Sequence, residues 1–323
     1  MSKRSQILSW VERGFIPREK ARAALSAVGV LPDLRRWRVF IESLLIWLGG
    51  TALALALMFF IAYNWDSMGR FGKFSLIEVS LLLSLVVYWK LAPDSLAGRV
   101  SLLVSSLLVG VLLAFYGQTY QTGADTWELF WNWALLMLPW VLISRFVVQW
   151  LLWIALLNLA IVLYFQVRPG LFGFALSSFE DRLWLLFCFN SIVWLIWEYS
   201  SKRFTFLAQR WAVRLIAMAS GSAITTLCIY SIFDGDTAVW PIVLVYFAWL
   251  GAVYYSYRLR IPDLFMLAGG CLSAIVVVLA FAGRQLLETN NAVGGFLLMT
   301  FLLAGLASVA TIWLRNVHRE FES

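Results

Sequence analysis

I-E-S-L-L-I-W-L-G-G-T-A-L-A-L-A-L-M-F-F-I-A-Y (Ile41–Tyr63) holds one carboxylate near its start and no further charge. A helix rises about 1.5 Å per residue and a bilayer's hydrocarbon core is about 30 Å thick, so about 20 such residues cross it. Nine more apolar runs follow, at about 74–91, 100–117, 128–144, 147–166, 183–199, 211–231, 239–257, 263–282 and 292–314. The expected fold is therefore all-α: a polytopic integral membrane bundle of about ten transmembrane helices. The fourth and sixth runs are short for a crossing, and the fourth contains Pro139, which removes a backbone donor. If either failed to cross, the topology after it would change sides.

Composition agrees with the runs. The chain is 62% hydrophobic and 13% charged, with mean hydropathy +0.82, where soluble domains are nearer 45–50% apolar and about 25% charged. Its 18 Trp fit a protein anchored at two bilayer interfaces. Cys188, Cys228 and Cys271 lie inside apolar runs at no metal-ligand spacing and read as small buried hydrophobes. The single histidine, His318, sits in the C-terminal tail. That leaves no Ser-His-Asp triad and no histidine metal cluster, and no phosphate-binding glycine loop is present. Neither a metal nor a cofactor is implied.

Residues 1–38 precede the apolar runs and carry nine of the 25 Lys and Arg. They read as a basic helical hairpin, with Gly14 ending its first helix and Pro17 opening the second. So small a hairpin buries too little to stand alone and needs the membrane face or a membrane-protein partner. With the N-terminus placed in the cytoplasm and ten crossings, 20 basic residues fall on the inner side and five on the outer. The expected division is a cytoplasmic hairpin at 1–38, a transmembrane bundle at 39–316 and a cytoplasmic tail at 317–323. Spread over loops in this way, the net charge of +7 reports orientation and not nucleic-acid binding.

Polar residues inside this frame are the candidates for function. Tyr116–Trp133, Y-G-Q-T-Y-Q-T-G-A-D-T-W-E-L-F-W-N-W, contains no Lys or Arg and falls on the outer side. With the third span ending near Gly117 and the fourth starting near Trp127, a polar loop of about ten residues joins them. Asp125 or Thr126 is then placed to cap the fourth helix, and Glu128, Trp131 and Asn132 share one of its faces. Gln118 and Gln121 add amides beside an indole, a set suited to a ligand with both polar and apolar sides. An interfacial aromatic belt plus an ordinary cap is the plainer reading. Glu78, about five residues into the second span, reads either as a desolvated proton or cation site or as a carboxylate reaching back to Lys73 or Arg70. Tyr63–Asp66 reads as a further outer anchor, and Asp234 and Asp236 share the outer side. Asn158 and Asn190 are intramembrane amides expected to bond between helices. Gly50 with Ala54, Ala217 with Gly221 and Gly270 with Ala274 have the spacing of close helix contacts.

W-V-E-R-G-F-I (Trp10–Ile16), the G-G and A-Y-N-W of the first span (Gly49–Gly50, Ala62–Trp65), and Y-G-Q-T-Y-Q-T-G-A-D (Tyr116–Asp125) before W-A-L-L (Trp133–Leu136) and Leu138-Pro139 form a pattern. Over residues 1–145 it resembles the bacterial predicted membrane proteins grouped as domain of unknown function 2157. The resemblance implies a bacterial inner-membrane protein and brings no activity or catalytic residue. The leading expectation is a non-enzymatic component that binds or moves a polar or amphiphilic small molecule or lipid. Gln118, Gln121, Asp125, Glu128, Trp131, Asn132 and Glu78 are its candidate ligand-binding residues. The alternatives are a scaffold or assembly factor acting through the hairpin, and an enzyme on lipid-linked sugars with Asp125 or Glu128 as general base.

Overall fold

The computed structural model describes residues 3–31, 33–64, 67–92, 94–167, 178–234, 239–287 and 292–322. Trp65, Asp66 and Asp236, named above, lie outside them. The described residues form twelve α-helices and no strand. The chain divides into two compact units, Met1–Ala124 with Asn132–Ser144, and Asp125–Trp131 with Arg145–Ser323.

In the first unit, α1 (Lys3–Glu12) and α2 (Ala21–Ala27) pack against each other. Gly14, at φ +79°, closes α1, and the amide of Phe15 bonds back to the Trp10 carbonyl. Pro17 sits earlier than expected: it precedes a short 3-10 turn, Arg18–Lys20, that leads into α2. Asp33 caps α3 (Leu34–Tyr63) by accepting from the amide of Arg36, whose guanidinium donates to the Gly29 carbonyl. The hairpin is thereby tied to the first long helix.

The centre of this unit is α5 (Leu96–Tyr120), 56% buried over its span, whereas α3 and α4 (Arg70–Lys90) are each 11% buried. Small residues explain its position. A Cβ on Gly50 of α3 would meet the Val100 side chain at 2.5 Å, so the two backbones approach as only glycine allows. Against α4, the hydroxyls of Ser84 and Ser105 bond at 2.7 Å, and the Ser101 hydroxyl donates to the Ser84 carbonyl. On a third side, Gly110 receives the Trp133 indole, whose N–H donates to the Ser106 carbonyl at 2.7 Å.

The second unit is organised around α9 (Arg210–Phe233), with α8 (Phe179–Ser201), α10 (Val239–Tyr254) and α11 (Leu264–Leu287) against it. The small stripe on α9 admits large neighbours: a Cβ on Gly221 would meet the Trp249 ring at 2.9 Å. Beyond these lie α7 (Val147–Val167) on α8 and α12 (Ala292–Glu322) on α11. Asn158 and Asn190 exchange amide bonds of 3.1 and 2.6 Å between α7 and α8, as expected of polar groups in an apolar layer.

Nine helices among the described residues are long and apolar enough to cross a membrane. The short sixth run belongs to them, as α8 of 23 residues. The fourth run does not: α6 (Thr126–Ser144) has 19 residues, carries Glu128 and Asn132, and continues through Pro139. The cysteines need correction in part. Cys228 is buried and Cys271 half-buried, but Cys188 is exposed on the outside of α8, where hydrocarbon rather than protein would surround it.

Candidate functional site

A cavity of about 730 Å³ in the first unit is lined by α3, α4 and α5. Pockets for small molecules commonly measure about 300–1,000 Å³. It exists because α3 and α4 both pack on α5 and hardly on each other, which leaves a lengthwise groove floored by α5. On α3 the lining residues Ile46, Gly50, Leu53, Leu57 and Phe60 follow helical spacing. The stretch from Ile46 to Phe60 rises about 21 Å, more than one leaflet's half of a ~30 Å core.

The groove is chemically apolar despite three serines in its wall. Ser80 donates to the Leu76 carbonyl, Ser84 to the Leu81 carbonyl, and Ser101 to the Ser84 carbonyl. Hydroxyls bonded within the protein offer little to a polar guest, so the space suits hydrocarbon. It also ends blindly. Ile61, Ile77 and Phe115 from the three helices form a buried cluster on which the lining residues Leu57 and Leu76 pack. Lys73 is buried behind this stopper, with its ammonium 5.9 Å from the Phe115 ring centroid.

The polar-aromatic stretch divides between the units. In the first, α5 continues to Tyr120, three residues past the expected end, so Gln118 is helical and the connecting segment shortens to 121–125. The helix ends at Gln121, which adopts a left-handed conformation, φ 43°. Gln118, Gln121 and Asn132 are exposed and make no side-chain hydrogen bond among the described residues. In the second, Asp125 is the residue before α6, but its carboxylate makes no capping bond and accepts from the Trp127 indole at 3.4 Å. The Trp127 ring stands edge-on to Tyr164 at 4.9 Å. Glu128 lies in the first turn of α6, and Glu128, Trp131 and Asn132 keep their common face along the helix.

Glu78 stands on the exposed face of α4 and pairs with neither Lys73 nor Arg70 among the described residues. The sequence reading missed a different set of charges. In the second unit Asp263, its side chain 2% exposed, accepts from Arg210 at 2.9 Å and from Arg214 at 3.0 Å. It also receives the amides of Phe265 and Met266 at the start of α11. Arg210 reaches Glu198 at 2.9 Å, and Glu198 in turn accepts from the Tyr257 hydroxyl, to which the Trp194 indole donates. Tyr257 lies in a π-helical turn, Tyr255–Arg260, that ends α10. Burial by itself pushes the Asp263 carboxyl up, but the bonds from Arg214 and Arg210 together outweigh it and hold it below the usual range. Two cations and two carboxylates cancel, so the network fastens α8, α9, α11 and the π turn together and has no surplus charge for a ligand. Its sequence signal was Glu198 inside an apolar run, with Arg210 and Arg214 four apart on one helix face.

The grooved unit holds the Gly-Gly of α3, the Y-G-Q-T-Y-Q end of α5 and the Trp133–Pro139 part of α6 in one packed arrangement. Residues 8–150 match the family described as predicted membrane protein (DUF2157). The DUF2157 match takes in every residue of the groove and the polar-aromatic stretch, and ends near the start of α7. The helices that carry the Asp263 network lie beyond it. Among curated proteins and solved structures nothing matches the chain.

Proposed function

We propose that this multi-span membrane protein is a non-enzymatic component of the bacterial inner membrane that binds an amphiphile, whose hydrocarbon part lies in the groove between α3 and α4. The observation that carries this reading is the 730 Å³ cavity whose wall hydroxyls are all bonded within the protein. The inner-membrane placement and cytoplasmic termini belong to the same proposal, supported by the distribution of basic residues. The test is lipid analysis of protein purified in native nanodiscs. Ala56 and Ala97 line the groove and are partly or fully exposed, so Ala56→Phe and Ala97→Phe fill it without displacing packed side chains. Retained amphiphile is expected to fall in both variants while protein yield stays constant. Equal retention in the wild type and both filled variants defeats the reading.

A second reading keeps the outer polar-aromatic stretch as the site of a polar ligand. It is supported by the exposed amides of Gln118, Gln121 and Asn132, which have no protein partner among the described residues, with Asp125, Glu128 and Trp131 nearby in sequence. Triple alanine substitution at the amides should lower binding of a copurifying polar molecule with no change in membrane abundance. A parallel fall in abundance assigns the stretch to structure.

A further inference from the structure

The groove has unlike ends, and the difference specifies its guest. Away from the N-terminus it is stopped by the Ile61–Ile77–Phe115 cluster. A headgroup cannot lie there without breaking that packing, so an amphiphile that inserts its chain must keep its polar end at the other mouth. That mouth is built by Ile46 of α3, Leu91 after α4 and Ala97 in the first turn of α5. Lys90 precedes Leu91, is exposed, and continues the α4 lining stripe of Leu83 and Val87. Lys90 does not itself line the cavity but adjoins its mouth, between the lining residues Val87 and Leu91 in sequence. The first turn of α5 adds the positive end of a 25-residue helix at the same level.

Surrounding charges leave a net basic excess. Residues 33–42 and 90–99 hold Arg35, Arg36, Arg38, Lys90 and Arg99 against Asp33, Glu42 and Asp94. Arg38 pairs with Glu42 and Arg99 with Asp94, and among the described residues Lys90 has no carboxylate partner. A second cavity, of about 510 Å³, is lined by Asp33, Arg35, Arg36, Val39 and Phe40, with Arg35 and Val39 on the stripe that leads down α3 from Ile46.

We infer that the guest is an anionic glycerophospholipid, with an acyl chain in the groove and its phosphate at the open mouth beside Lys90 and the first turn of α5. This inference rests on the amphiphile reading above and adds the headgroup's charge and the end at which it sits.

The test uses the full chain in nanodiscs of phosphatidylcholine containing equal fractions of phosphatidylglycerol and phosphatidylethanolamine, followed by gentle extraction and native mass spectrometry. Phosphatidylglycerol should be enriched over phosphatidylethanolamine in the retained lipid. Lys90→Gln should cut that enrichment by about fivefold, the ratio set by the ~1 kcal/mol typical of a basic residue at the membrane surface. Lys90→Arg should restore it, and Ala97→Phe should lower retention of every class. Equal retention of the two lipids by the wild type, or enrichment unchanged in Lys90→Gln, overturns the inference while leaving hydrocarbon binding in place. Retention unaffected by both Ala97→Phe and Ala56→Phe overturns both readings together.

Discussion

Asp263 and Gln121 show what a single residue decides in this protein. The Asp263 carboxyl is held below its ordinary range, so its stabilising effect is complete above the ordinary carboxylate pKa and is lost as pH falls through the lowered value. Detergent-solubilised wild type should therefore unfold more readily under strongly acidic conditions, and Asp263→Asn should flatten that dependence. At neutral pH the same variant should lose on the order of 3 kcal/mol, the low end for breaking a buried pair. The low end applies because Arg210 and Arg214 keep 34% and 38% of their side chains in solvent. Thermal unfolding at several pH values checks both statements. Gln121, at φ 43°, occupies a conformation that costs an ordinary residue about 1–2 kcal/mol. Gln121→Gly should raise the melting temperature and Gln121→Val lower it; the opposite order would show that the side chain itself holds the turn.

At the scale of elements, close approach at small residues shapes both units. A methyl group at Gly110 would lie 2.5 Å from the Trp133 indole, which its hydrogen bond to the Ser106 carbonyl keeps from moving aside. Gly110→Ala should cost about 1–3 kcal/mol as an overpacking change. Adding Trp133→Leu should recover part of the loss, measured as melting temperature in detergent; no recovery would place the strain elsewhere. The spacing of Gly50 with Ala54 and of Ala217 with Gly221 announced such contacts, because a small stripe on an apolar helix has few other uses. Asn158 and Asn190 were legible for a related reason: an amide in hydrocarbon must find a partner. The groove was not legible. It depends on two helices choosing a third over each other, and the lining residues of α3 alone read as an ordinary apolar face. The Trp194–Tyr257 bond joins residues 63 positions apart, a separation that no local pattern reports.

For the whole molecule, α6 decides which connections share a side of the membrane. Its 19 residues rise about 28 Å, just short of a ~30 Å core. If it crosses, the α4–α5 connection and the α8–α9 connection lie on one side; if not, they lie on opposite sides. Single cysteines at Ser95 and Lys202, in a background lacking Cys188, Cys228 and Cys271, separate these cases by labelling with an impermeant maleimide in oriented vesicles. Labelling from the same face is expected, since that arrangement keeps the basic loops together. Length and hydropathy made the number and order of helices readable from the sequence. The C-terminal end of α5 was less so: the helix runs three residues past its expected end, to a left-handed Gln121 that its residue type does not announce.

The blind groove between α3 and α4 also determines how occupancy must be measured. On the proposed amphiphile reading, a crevice that opens sideways into a bilayer would face its guests at the density of a neat liquid, so one lipid would leave only as another enters. Affinity in the usual sense, referred to ligand dissolved in water, does not describe such a site. What it has is a preference, the ratio in which competing lipids are held relative to their mole fractions in the surrounding leaflet. If the proposed lipid binding holds, a change in membrane composition would alter what the groove holds without any signal molecule arriving.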